Sequence, residues 1–563
     1  MDARERKPWA YLAMAILLAG LGCGKGSGGA ADDDSNDGSD SPGGDGTVAS
    51  ACAPAARPQA PLPALHTSGR YLVDPRGHHV ILRGVVTISM GHIHGPKGGP
   101  PWFGLTIPQY IDSFSNWSES EQTGWAPTVV RMMFNSWPSS STANENDRDP
   151  QHLAYYPPPF SYDPATLPAS CQPGTAYAVG DTCFNNTLVW RAVQAGTSAG
   201  GPERVNANFD GTTTDGSVKW TVVNPTVLTD ADWADWCEAV LFPSVDYALS
   251  KNLYVIITLN DFGDPADNPT LFQRHQSFFG RLSSAADIAG QKYRNDPGVL
   301  FENHGEIIRH GAGVWAEIKP YFQQTLDLVR ANGAENVFIT STPGWCGSTR
   351  DATDDPLIGD DVAYANHTYD FNTQDLSYLD HQLSSDQPVI LTEFGNGAAS
   401  WIFWMTYHVG DVVWTDGTWY EAIKSQEHGS VPDWVAGTYS VGDQVWSDQA
   451  VWTRTVAGAS TAPPSGQSAA GWALASSRNY PPADNLAWWR PTTSRPAWFA
   501  QFLATIEPTH GATHPPVGLT AWSVTSDWIP ALFTSNALTT PTGWGEEARE
   551  WLQETRNCDL AGQ

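Results

Sequence analysis

The sequence predicts an α/β fold, a (β/α)8 TIM barrel carrying two small β-rich insertions. Three observations predict it. Short apolar runs recur along the chain, separated by helix-sized stretches. Polar and aromatic residues cluster just after those runs, which is the functional face of such a barrel. A short pattern built around Gly-Asp occurs twice and interrupts the alternation.

The expected strands are Val80–Val86, Val129–Met133, Leu253–Leu259, Val299–Phe301, Val337–Thr340, Asp361–Tyr364, Val389–Thr392 and Leu519–Trp522. Strands covered on both faces read as continuous apolar runs. Between them lie amphipathic stretches such as Trp315–Ala331, with helical spacing of apolar residues. The barrel domain takes in residues 66–557.

The insertions are residues 171–222 and 432–475. Tyr177, Gly180, Asp181, Val189, Trp190, Ala195 and Gly196 recur at constant offset as Tyr439, Gly442, Asp443, Val451, Trp452, Ala457 and Gly458. A later Trp recurs too, Trp220 and Trp472. Strand-like runs broken by Gly/Ser/Pro turns make each a small β module. The pattern resembles carbohydrate-binding modules of families 5 and 12. That resemblance implies glycan contacts at Tyr177, Trp190, Tyr439 and Trp452. The competing reading makes these aromatics the core of a small sheet.

Residues 1–22 read as an export signal, with Arg4, Arg6 and Lys7 ahead of the apolar run Leu12–Leu21. The ending before Cys23 resembles a bacterial lipoprotein signal, although Gly20 stands where Leu is usual. The expected location is extracellular, or the bacterial cell surface as an outer-membrane lipoprotein anchored at Cys23. Residues 23–65, rich in Gly, Asp and Pro, read as a disordered linker. In an exported chain the other cysteines are disulfide candidates. The expected pairs are Cys171–Cys183, Cys237–Cys346 and Cys52–Cys558. No cysteine or histidine cluster has zinc spacing, so no metal or other cofactor is expected.

The chain carries 60 acidic against 30 basic residues. Nucleic acid is excluded as a partner, because its binding needs a basic surface. A neutral polymer fits, and the chain is expected to be a monomer. The 26 Trp suit both core filling and flat platforms for sugar rings.

The segments GRYLVDPRGHHVILRGV, VVRMMF, YRNDPGVLFENHGEI, VFITSTPGWCG, YANHTYD, PVILTEFG and GLTAWSVTSDW resemble, in order and spacing, those of glycoside hydrolase family 5, the retaining cellulases, mannanases and their relatives. The resemblance implies a retaining glycosidase acting on a neutral β-linked glycan, β-1,4-glucan by default, with mannan, xyloglucan and chitin-like polymers open. It places the acid/base at Glu306 and the nucleophile at Glu393. Cleavage needs one protonated and one ionised carboxyl, which this pair would supply. Substrate binding is implied at Arg131, His367, Tyr369, Trp522, Asn260, Trp345 and a first-strand histidine, His92 or His94. Trp102, Trp401, Trp404, Trp414 and Trp419 are further cleft candidates.

Three departures stand out. Gly305 replaces the Asn that normally precedes the acid/base, Ile307 replaces the following Pro, and Asn260 stands at the third-strand His position. Asn303 and His304 are candidate substitutes for the lost amide. The departures leave a second expectation open, a catalytically weakened surface protein that binds glycan. A third is a metal-dependent hydrolase using His92 and His94.

Overall fold

The computed structural model describes residues 62–94, 104–134, 168–185, 188–201, 213–222, 230–259, 264–265, 269–370, 376–396, 407, 409–415, 417–423, 431–447, 450–462, 464, 470–477, 482–484, 486, 488–493, 497–507, 512, 514–526 and 530–555. The export segment, Cys23, Cys52, Cys558, Asn260, Trp102, Trp401 and Trp404 lie outside them.

Eight parallel strands close a barrel. They are β1 (Leu82–Thr87), β2 (Val129–Phe134), β3 (Tyr254–Leu259), β4 (Val299–Glu302), β5 (Phe338–Thr340), β6 (Val362–Asp370), β7 (Val389–Asn396) and β8 (Gly518–Val524). Each pairs with its neighbours in chain order, and β8 closes on β1. Every expected run is a strand. The sixth and seventh continue further than expected, to Asp370 and Asn396, and carry side chains to the mouth.

Strand alternation sorts the core into two layers. Val255, Ile257 and Leu259 of β3 join the layer shared with the helices. Tyr254 and Ile256 join the barrel interior, with Val129, Leu300, Ile339, Ala363, Ala365 and Ile390. The same alternation turns Arg131, Glu302, His367 and Tyr369 inward. Leu62 and Leu65, assigned above to the linker, are buried in the interior cluster with Leu72 and Val80. The Tyr254 hydroxyl donates to the Pro63 carbonyl at 2.8 Å. The ordered domain therefore includes residues 62–65, which close the barrel floor.

Outside the barrel lie small antiparallel sheets, and they hold three copies of the repeat rather than two. In the expected pair, Gly180 N–H donates to Ala192 O and Ala192 N–H to Asp181 O; Gly442, Arg454 and Asp443 repeat both bonds, all at 2.8 Å. Gly410, Ala422 and Asp411 make them a third time, also at 2.8 Å. The three glycines share φ of 96–97°, a left-handed conformation natural to glycine. Each copy sets a Tyr edge-on to its closing Trp: Tyr177 on Trp220 at 4.8 Å, Tyr439 on Trp472 at 5.0 Å, Tyr407 on Trp489 at 5.1 Å. In the third copy the strand Thr418–Ala422 pairs with Trp489–Thr492. The second copy is thus nested inside the third.

Trp190 and Trp452 lie in the small cores of their modules. Trp190 and Trp452 are 1% and 0% exposed, which corrects the expectation that they face glycan. Tyr177 and Tyr439 pack against the same clusters. A sheet this small has few other ways to bury apolar area. Cys171 and Cys183 are bonded in the first module. Cys237 and Cys346 are free and buried, against the expected pairing. Cys237 belongs to the helix-facing layer and Cys346 to the barrel interior, on opposite sides of the strands.

If Trp452 is the core of the second module, Trp452→Ala should cost roughly 3–5 kcal/mol locally. Limited proteolysis should then cut near residues 437–477 while the barrel stays resistant.

Candidate active site

Four strand ends build the site. Arg131 projects inward from β2, and Glu302 from the last position of β4. Glu306 follows on the segment after β4. His367 and Tyr369 sit on the extended end of β6. Glu393 owes its direction to a bulge in β7. Asn366 pairs with Leu391 but His367 pairs with Glu393, which skips Thr392. The extra residue re-aims Glu393 into the barrel, a common use of bulges beside sites.

Arg131 is fully buried between two carboxylates. Its Nε donates to Glu302 Oε2 at 2.5 Å and its Nη1 to Glu393 Oε1 at 2.7 Å. The Tyr369 hydroxyl donates to Glu393 Oε2. His367 Nδ1 lies 2.6 Å from Glu306 Oε1 and 3.4 Å from Glu393 Oε2, and its Nε2 lies 3.0 Å from Thr392 Oγ1. One donor atom each of Glu306, His367 and Glu393 lies within 4.8 Å of the others. Trp522 stands edge-on to Tyr369, with ring centres 6.4 Å apart. Its carbonyl accepts from Trp544 Nε1 at 2.7 Å.

Burial pushes the Glu306 carboxyl up to about 7; Arg131 opposes this and Glu302 adds to it. Burial pulls His367 down to about 4, so its ring is neutral near pH 7. Burial also lifts Glu393, opposed by His367, Arg131 and the Tyr369 hydrogen bond. Glu393 holds two strong donors, so it is the carboxyl the site favours as anion. Glu306, raised to about 7 by burial, is the one the site favours as the acid.

The other expected residues divide. Trp345 is half-buried on the turn after β5, and its N–H donates to Ile307 O at 2.7 Å, which places it beside Glu306. His92 and His94 are half-buried on the short helix Met90–His94 after β1. They do not join the donor group formed by Glu306, His367 and Glu393. Neither candidate substitute for the lost amide reaches the mouth. Asn303 donates to Thr340 Oγ1 at 3.3 Å and accepts from Ser341 N at 3.1 Å, inside the wall. His304 packs against His275 and Phe322 on the helix side. Glu302 and Thr392 were missed. A lone acid at an inward position of an apolar strand was the available signal for Glu302; for Thr392 the alternation from Ile390 was the signal, and its bond to His367 was not visible in sequence.

The site predicts a pH-dependent stability. Glu306 has a folded pKa near 7 and an unfolded one near ~4.3. The folded state therefore binds this proton more tightly. The resulting stability is complete below the unfolded value and is lost as pH rises through the folded one. Between pH 5 and 8 the Glu306 share of that loss should be about 2–3 kcal/mol. His367, with its folded value at about 4, contributes in the opposite direction over the same range, because the unfolded chain binds its proton more tightly. The Glu306 share is therefore read by urea denaturation as the difference between wild type and Glu306→Gln, and the variant's stability should rise with pH.

Residues 217–437 match the sequence profile of Cellulase (glycosyl hydrolase family 5). Endoglucanase A of Evansella cellulosilytica is 28% identical over 160 residues, 28% of this chain and 31% of the relative. Endoglucanase E-5 of Thermobifida fusca is 30% identical over 163 residues, 27% of this chain and 32% of the relative. The chain thus spans about a third of the length of these curated relatives. The catalytic domain of Thermobifida fusca endoglucanase Cel5A superposes with a TM-score of 0.43 at 14% identity, over 87% of this chain and 97% of that domain. The profile match and the endoglucanase alignments thus show a likeness to cellulase-like members of glycosyl hydrolase family 5 over part of the chain.

Proposed function

We propose that this protein is an exported retaining glycoside hydrolase that cleaves a neutral β-linked glucan, with β-1,4-glucan as the first candidate. One observation carries the reading. Two buried carboxyls bring oxygens within 4.8 Å of each other, and the donors Arg131 and Tyr369 both sit on Glu393. Retaining enzymes keep the two carboxyl groups ~5–5.5 Å apart and inverting ones ~6.5–9.5 Å. The names of the endoglucanase relatives support the substrate class.

In this reading Glu306 gives its proton to the leaving glycosidic oxygen. Glu393 attacks the anomeric carbon and forms a glycosyl ester. Glu306, now a carboxylate, takes a proton from water, whose oxygen releases the sugar with its configuration restored. Arg131 and the Tyr369 hydroxyl hold Glu393 as the anion. Neutral His367 bridges towards Glu306 and Thr392. Trp522 and Trp345 offer aromatic faces to the sugar beside the pair.

One observation favours a second reading, a protein that binds glycan and turns it over weakly. With Gly305 in place, and with Asn303 and His304 turned away, no amide from this segment faces the sugar. A panel of defined oligosaccharides separates the two. We expect turnover of a β-glucan, and loss of roughly 10⁴-fold or more in Glu393→Gln. Binding without turnover by folded protein would favour the second reading. Proton NMR should show the β-anomer as first product, and a first-formed α-anomer would sink the retaining mechanism. EDTA treatment should leave the rate unchanged; metal-restored activity would instead assign the group of Glu306, His367 and Glu393 to an ion.

A further inference from the structure

Glu302 has no part in the two-carboxylate scheme, yet it is among the most deeply placed charges in the barrel, at 0% exposure. It ends β4, four residues before Glu306, and its Oε2 takes the Arg131 Nε at 2.5 Å. Its Oε1 has no hydrogen-bond partner among the described residues. Arg131 is therefore its sole charged partner there, and the same guanidinium serves Glu393 at 2.7 Å. Around the pair, Arg131 faces in from β2, Cys346 from the segment after β5, His367 and Tyr369 from β6, and Glu393 from β7.

Charge counting shows what this third carboxylate does. With Arg131 cationic, Glu302 and Glu393 ionised and His367 neutral, the cluster already carries a net negative charge. Ionising Glu306 would add a second one inside a barrel of low dielectric. Without Glu302, Arg131 and Glu393 would cancel, and Arg131 would favour loss of the Glu306 proton. We propose that Glu302 is a positioning residue that aims Arg131 at Glu393 and, by offsetting its positive charge, holds the proton on Glu306.

The proposal rests on the reading of Glu306 as the acid, and the test separates the two. The measurement is kcat/KM against pH on a soluble β-glucan oligosaccharide. Glu302→Gln keeps the shape and an acceptor for Nε but removes the charge. The alkaline limb should move acidward by about one unit or more. Activity at pH 8 should then fall about tenfold while the acid plateau changes only a few-fold. Glu302→Asp keeps the charge, so its limb should stay closer to wild type. If the Gln variant does not fold, Glu302→Asp carries the test alone. Its shorter reach weakens the hold on Arg131, so a smaller acidward shift is expected. An unmoved limb in a folded Gln variant, or in the Asp variant when it stands alone, overturns the proposal. A uniform loss at every pH does so too, because that marks a purely structural role. If Glu306→Gln retains the wild-type alkaline limb, the failure lies instead in the reading of Glu306.

Discussion

Arg131 sits fully buried at the barrel centre, with Glu302 on its Nε and Glu393 on its Nη1, and the mouth is organised by that pairing. Removing a cation from water costs several kcal/mol unless it is paired and hydrogen-bonded. The barrel meets the condition through strand direction. Arg131 and Glu302 point inward because Val129 and Leu300, two residues earlier on each strand, do so as well. Glu393 needs the β7 bulge at Thr392 to reach the same space. The cation then fixes one oxygen of Glu393 and leaves the other for Tyr369. His367 and Glu306 fill the remaining side, so the guanidinium's direct hydrogen bond goes to Glu393 and not to Glu306.

Much of this is legible in the sequence, for physical reasons. Strands covered by helices outside and packed residues inside must be apolar on both faces, so all eight appear as continuous runs. The helical stretch expected over Trp315–Ala331 appears as Val314–Ala331, with Trp315, Ile318, Phe322 and Leu326 buried at helical spacing. The charged and aromatic residues of the site stand out because they end apolar runs. What hid was whatever depends on register or on distant partners. Straight alternation from Ile390 would turn Thr392 inward rather than Glu393; only the pairing with β6 reveals the skipped residue. The buried leucines at 62 and 65 lie in a Pro/Ala stretch that has the composition of a tether.

The third module shows the same limit at larger scale. Its Tyr407-x-x-Gly410-Asp411 signature is in plain view. Its closing Trp489, however, comes only after the whole second copy. The nesting also gives the third copy a mechanical position that the others lack. Trp414 and Trp419 are cross-strand partners in its sheet. A Cβ on Gly543 would come within 2.6 Å of one and 2.7 Å of the other, so only glycine admits both rings at the head of the helix Gly543–Thr555. The next residue, Trp544, donates to the Trp522 carbonyl at 2.7 Å. The module thus abuts the helix head that bonds to Trp522 on β8. Its tryptophans are spent on packing and docking, consistent with an insertion that braces the barrel.

The departure at Gly305 is best understood by separating proton chemistry from sugar contact. The Gly305 carbonyl accepts from Ser341 Oγ at 3.2 Å, and Cys346 Sγ lies 3.5 Å away. These contacts fix the backbone just before Glu306 to the segment after β5. The acid's position therefore survives the loss of the amide side chain. Its proton is governed by burial, Arg131 and Glu302, none of which involves residue 305. In the proposed reading the lost amide is a hydrogen-bond partner for the sugar, and contacts of that kind set which sugar is held and how far it is stabilised on the way to the transition state. On that reading the substitution bears on the choice and affinity of the sugar beside the scissile bond, and leaves the paired-carboxyl arrangement intact.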